Sequence, residues 1–85
     1  MYYVYVLQSK KDKSLYIGYT KNLQERLIEH NSGLCFSTKQ RIPFVTIAYE
    51  AYLSEKDART REKRLKQFKN AYKELLKRIY NCIEK

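Results

Sequence analysis

The sequence predicts an α+β domain: one three-stranded antiparallel sheet flanked by three helices, in the order ββαβαα. Three observations predict it. β-Branched and aromatic residues fill two short runs, 2–7 and 15–20, on either side of a polar turn. A third such run, 44–49, follows an irregular polar segment. After Ser54 the apolar spacing changes from strand-like to helix-like.

Each element has its own local reason. Tyr2-Tyr3-Val4-Tyr5-Val6-Leu7 is β-branched or aromatic at nearly every position, so both faces are apolar and the strand belongs at the centre of the sheet. Lys10-Lys11-Asp12-Lys13-Ser14 is a polar turn, and residues 15–20 return antiparallel as a hairpin. Gly18 interrupts this second strand, and a strand glycine marks a bend or a place where another group comes close. Asn22 caps a helix to about Asn31, with Leu23, Leu27 and Ile28 as its apolar edge and Asn31-Ser32-Gly33 as its end. Residues 34–43 are irregular and polar, and residues 44–49 form the third strand. Ser54, with Asp57 three positions on, starts a helix to about Phe68 whose core stripe reads Ala58, then 61 or 62, then Leu65 and Phe68. A last helix, from Ala71 to about Ile83, carries Tyr72, Leu75, Leu76, Ile79 and Ile83 at helical spacing.

A chain of 85 residues makes one domain, 1–85, with a modest core, because short chains bury a smaller share of their surface. No apolar run approaches the roughly 20 residues of a membrane span, so no membrane partner is expected. The start is strand-like, with no basic region before it, and the expected address is cytoplasmic. Cys35 and Cys82 lack metal-ligand spacing, and no structural disulfide is expected.

The net charge is +9 and uneven: residues 1–58 hold 8 basic and 6 acidic side chains, whereas residues 59–85 hold 10 and 3. A basic stretch of this kind suits a polyanionic partner, most often nucleic acid, because phosphate contacts release condensed counterions. A solvated helix face accounts for the charge alone equally well.

A sparse set of polar groups is less easily explained by folding. Glu62 falls on or beside the apolar stripe of its helix, where a carboxylate must find a cation, a metal or hydrogen-bond donors. The plain reading is a salt bridge to Arg26 or a nearby lysine. The functional reading is a ligand for a hard divalent ion, which a single carboxylate holds together with water and substrate phosphate. Arg26 and His30 are four residues apart and share a helix face. A guanidinium suits phosphate oxygens, and an imidazole suits proton transfer near neutral pH. Tyr5 and Tyr16 lie on adjacent strands; a phenol is a poor base unless positive charge favours the phenolate, which Arg26 and a bound metal would provide.

Taken in order, these residues resemble the GIY-YIG nuclease superfamily, and within it the small single-domain YhbQ-like proteins. Tyr3-Val4-Tyr5 stands in the first motif and Tyr16-Ile17-Gly18 in the second, which continues through Thr20 into Arg26-x-x-x-His30. Glu62 lies in Ala58-Arg59-Thr60-Arg61-Glu62-Lys63-Arg64-Leu65-Lys66, the setting of the family's metal-binding glutamate. Tyr3 replaces the first-motif glycine, and Tyr19 stands where excision-repair members carry a lysine. The resemblance implies Tyr5 as general base or water-orienting phenol, Tyr16 as the second active-site tyrosine, and Arg26 as stabiliser of phosphorane charge. It implies His30 as orienting or proton-relaying group and Glu62 as holder of one Mg²⁺ or Mn²⁺. Asn70 is a weak candidate for a further polar site residue, equally placed to cap the last helix.

The implied reaction is hydrolysis of DNA phosphodiester bonds, in repair or recombination. A domain this small has no separate targeting module, so low sequence specificity and a preference for single-stranded or branched DNA are expected. Lys39, Arg41 and the face formed by Arg59, Lys63, Lys66, Lys69 and Lys73 would hold the backbone, with exposed tyrosines stacking on bases. One rival is a non-catalytic nucleic-acid-binding module of the same fold, which has no need of Glu62 amid positive charge. The other is a basic interaction domain whose last helix docks a protein partner through an exposed stripe at Tyr72, Leu76 and Ile79.

Overall fold

The first strand is apolar on both faces because both faces are covered. In the computed structural model, which describes all 85 residues, β1 (Tyr2–Ser9) lies between β2 (Leu15–Thr20) and β3 (Phe44–Tyr52) in an antiparallel sheet of order β2-β1-β3. Alternate side chains of a strand point to opposite faces. Val4 and Val6 therefore enter one core with Ile17, Ala58, Leu65 and Leu75, while Tyr5 and Leu7 enter a second with Phe44. The first core lies under α2 (Glu55–Gln67) and α3 (Lys69–Arg78). The second is closed by α1 (Leu23–Asn31) through Leu23 and Leu27.

Register then sets which residues meet. Tyr5 pairs with Gly18 on β2 and with Tyr49 on β3. On β3 an extra residue intervenes between Thr46, opposite Leu7, and Ala48, opposite Val6. This bulge lets Ile47 and Ala48 both pack toward α2 and α3.

The helix starts follow their capping residues. The Asn22 side chain accepts from the Glu25 N–H at 3.0 Å, and the Ser54 hydroxyl oxygen accepts from the Asp57 N–H at 3.2 Å. The sequence order ββαβαα is the observed order.

The end of the chain departs from the periodic pattern. Phe68 is extended (φ −115°, ψ 116°) and forms the joint between α2 and α3, so it is 54% exposed instead of closing the core stripe. Because Phe68 occupies the N-cap of α3, Asn70 lies inside the first turn, is exposed and caps nothing. The last helix ends at Arg78 and not near Ile83; a 3₁₀ turn, Tyr80–Cys82, follows. The tail is held elsewhere: the Gln8 amide donates to the Glu84 carbonyl oxygen at 2.8 Å and accepts from its N–H at 2.9 Å. Lys10 and Lys13 pair with the Glu84 carboxylate.

Leu75 of α3 is buried, and Ala71, Tyr72 and, just past the helix end, Ile79 pack on the core, so of the stripe Tyr72, Leu76 and Ile79 the fold itself engages the first and last, and Leu76 is half-buried. Residues 34–43 contain one 3₁₀ turn, Lys39–Arg41. Both cysteines are free, and no helix is long and apolar enough to cross a membrane.

Candidate active site

Four of the residues marked by the sequence converge on the α1 side of the sheet. The Tyr5 ring lies across Gly18, where a β-carbon would come within 2.2 Å of Tyr5 Oη and 2.3 Å of Cζ. The glycine is therefore required by the ring that covers it. Tyr5 Oη is 2.9 Å from His30 Nε2 and accepts from Arg26 Nε–H at 3.3 Å. Tyr16 places its ring centre 6.3 Å from that of Tyr5 and 5.0 Å from that of His30. Arg26 and His30 reach these strands together because they are four residues apart on one helix.

Burial governs the electrostatics here. Tyr5 is 2% exposed, and loss of water pushes its phenol up to about 12, against the opposing pull of the Arg26 hydrogen bond and charge. Positive charge thus does not make the Tyr5 phenolate accessible near neutrality. His30 is wholly buried, and desolvation, followed by the charge of Arg26, lowers its imidazole to about 4. A neutral histidine faces a protonated phenol. Arg26 is kept charged, first by Glu29 and then by Tyr5. Its Nη1 pairs with Glu29 at 2.9 Å, and its Nη2 has no protein partner. Beside it lies an open recess of about 370 Å³ lined by Tyr19, Thr20, Lys21, Asn22, Glu25, Arg26 and Glu29.

Glu62 stands apart from these four. Of the two ambiguous α2 positions, Arg61 turns to β3, where Nε and Nη2 bind the Glu50 carboxylate at 2.9 and 3.0 Å. Glu62 pairs with Lys66 at 2.9 Å, one turn along the helix, and makes no hydrogen bond or ion pair with Tyr5, Tyr16, Arg26 or His30. The plain reading of a nearby-lysine salt bridge describes its contact in this structure. Lys66 is also the link to the cluster, with its ammonium 5.4 Å from the centre of the Tyr16 ring. No group of three or more His, Cys, Asp and Glu side chains forms a metal cage. One carboxylate with a 23% exposed side chain fits an ion whose other ligands are waters and phosphate oxygens, as hard Mg²⁺ is held.

The basic residues divide by what already engages them. Arg41 is partly engaged by the fold: it donates to Ser14 Oγ at 2.9 Å and to the Ser37 carbonyl at 3.1 Å, and its guanidinium lies 5.5 Å from the Phe44 ring centre. Arg59 lies 4.3 Å over Tyr19 and pairs with Glu55 at 3.4 Å, while the Tyr19 hydroxyl also donates to Glu55. Lys39 sits 5.1 Å over the exposed Phe36 ring. Lys63, Lys69 and Lys73 are exposed and carry no ion pair.

Two site residues escaped the sequence reading. Thr38, wholly buried, places Oγ1 2.8 Å from His30 Nδ1. It sits in a polar loop where nothing distinguishes it from a solvated threonine. Glu29 could have been found, since it lies three residues from Arg26 on the same helix.

Comparison with known proteins bears on the family and the fold. The family model described as the GIY-YIG catalytic domain matches residues 1–77. A UPF0213 protein of Staphylococcus haemolyticus is 40% identical over 73 residues, covering 85% of this chain and 88% of its own. Another, of Halobacterium salinarum, is 39% identical over 77 residues, covering 89% and 99%. The solution NMR structure of the UPF0213 protein BH0048 from Bacillus halodurans matches with a TM-score of 0.54 at 37% identity, over 89% of this chain and 82% of that one. With the matched residues running through every strand and helix from β1 into α3, the chain belongs to the GIY-YIG nuclease superfamily, among its small UPF0213 proteins.

Proposed function

We propose that the protein is a metal-dependent endonuclease that hydrolyses DNA phosphodiester bonds with low sequence specificity, favouring single-stranded or branched DNA, in repair or recombination. The observation that carries this reading is the bonded set Arg26–Tyr5–His30, a cation, a phenol and a neutral imidazole within hydrogen-bond reach of one another. Phosphodiester hydrolysis needs a proton acceptor for water and a cation for the charge that grows on phosphorus oxygens.

With its proton held to about 12, Tyr5 is a weak base alone. Paired with His30 it can take a proton from the attacking water while its own passes to Nε2. The water oxygen bonds to phosphorus, the bridging P–O bond breaks, and the departing oxygen takes a proton from solvent. Arg26, with Nη2 unpartnered, stabilises the pentacovalent charge. Tyr16 walls the imidazole and orients the water. Glu62 would hold Mg²⁺ or Mn²⁺, which supplies Lewis-acid stabilisation at the phosphate. Lys39, Lys63, Lys69 and Lys73, with Arg59 and Lys66, hold the backbone by charge.

A non-catalytic nucleic-acid-binding module is favoured by two observations: Tyr5 is only 2% exposed, and Glu62 is already paired with Lys66. The two readings separate on purified protein with labelled single-stranded, duplex and branched DNA, in Mg²⁺, Mn²⁺ or EDTA. Metal-dependent cleavage that is lost in Glu62→Ala and Arg26→Ala, with binding retained, supports the nuclease. Binding without cleavage on every substrate and metal establishes the module instead.

A further inference from the structure

We infer that Thr38 is a positioning residue that fixes the tautomer of His30 with its proton on Nδ1, so that Tyr5 donates its hydroxyl proton to the histidine. The inference deepens the nuclease reading, and rests on it only for the catalytic consequence.

Donor accounting decides the direction of the chain of bonds. Tyr5 Oη has two partners, His30 Nε2 at 2.9 Å and Arg26 Nε–H at 3.3 Å, and the arginine can only donate. Had His30 carried its proton on Nε2, it too would donate to Oη, and the O–H of the 2% exposed Tyr5 would be left without a protein acceptor. Buried donors without acceptors are rare, and this protein has no buried side-chain polar atom without a partner. With the proton on Nδ1, every donor is met. Arg26 donates to Tyr5, Tyr5 to His30 Nε2, His30 Nδ1–H to Thr38 Oγ1 at 2.8 Å, and Thr38 to the Cys35 carbonyl oxygen at 3.4 Å. The threonine hydroxyl is the one group on the Nδ1 side that receives this proton, and it is held in place by the backbone of its own loop. The low basicity of the buried imidazole keeps it neutral at pH 7, where it has one proton and a choice of nitrogen.

The chain has a single histidine, so long-range ¹H–¹⁵N spectra of the imidazole report His30 without ambiguity. At pH 7.5 the wild-type protein is expected to show Nδ1 as the protonated nitrogen and Nε2 as the bare one. Thr38→Val removes the acceptor at nearly constant volume and is expected to raise the share of imidazole protonated on Nε2, against the opposing demand of the Tyr5 O–H, and Thr38→Ser to restore the wild-type pattern. Should the valine variant not fold, Thr38→Ala replaces it. Cleavage should fall by about 100-fold in the valine or alanine variant and recover with serine, the scale of a lost general-base step, while DNA affinity stays unchanged. A wild-type spectrum with Nε2 protonated, or a tautomer ratio that does not change when the hydroxyl is removed, overturns the assignment of Thr38. A protein that cuts no DNA yet shows the tautomer exchange overturns the nuclease reading and leaves that assignment standing.

Discussion

Tyr5 Oη and His30 Nε2 lie 2.9 Å apart, the tyrosine 2% exposed and the histidine wholly buried. Replacing Tyr5 by Phe keeps the ring over Gly18 and deletes only the hydroxyl. The His30 nitrogen then loses its partner in the interior, which costs about 1–3 kcal/mol. Cleavage should drop by at least about 100-fold, because the acceptor for the water proton is gone. Urea denaturation and a DNA cleavage assay read the two effects; wild-type values in both would refute the coupling of phenol and imidazole.

Gly18→Ala should be costly although the backbone there is ordinary. The new methyl would occupy the space of Tyr5 Oη and Cζ, both parts of a rigid ring packed between β2 and α1. Overpacking of this kind costs about 1–3 kcal/mol. Pairing it with Tyr5→Ala removes the collision, so the two substitutions should be strongly non-additive in a thermal-denaturation cycle. Strict additivity would mean the ring does not press on Gly18.

Stability should fall on acidification below neutrality because of one histidine. Its imidazole sits at about 4 in the fold against 6.5 when free. Between those values the unfolded chain binds a proton that the folded chain refuses, so stability is full above about pH 6.5 and declines as pH falls toward 4. The slope reaches at most about 1.4 kcal/mol per pH unit. Urea titrations from pH 7 to 4 should show this component in the wild type and lack it in His30→Gln. An NMR titration midpoint of His30 near 6.5 would be incompatible with it.

If Arg26 binds phosphate as proposed, Glu29 competes with substrate for it. Its carboxylate occupies Nη1 at 2.9 Å with both side chains 35% exposed, an interaction of modest strength. Glu29→Gln should strengthen binding of single-stranded DNA by up to about fivefold, the scale of one partly exposed ion pair. Fluorescence anisotropy at several salt concentrations measures it, and weaker binding than wild type would show that Glu29 orients Arg26 instead of competing.

Much of the fold was written locally. The two-faced apolar run of β1, the Asn22 and Ser54 caps and the Leu65 and Leu75 core positions each depend on neighbours within a few residues. The end of α3 did not, because Gln8 holds the Glu84 backbone from across the molecule and no periodicity carries that information. Helical spacing alone put Arg26 beside His30, and strand pairing brought Tyr5 and Tyr16 to them. Thr38 was hidden for the opposite reason: burial of a loop threonine is decided by tertiary contacts. Arg41 reads as a phosphate contact for its charge alone, and no sequence signal shows that two of its five N–H groups go to Ser14 and Ser37.

The central strand is a party wall. Val4 and Val6 brace one room and Tyr5 and Leu7 the other, so neither side can loosen while its neighbour stays intact. Amide exchange should accordingly be slowest along residues 4–7 and report whole-molecule opening. Trimming Val6 to alanine, on the side away from His30, should be heard through the partition as a shift in the histidine ring signals.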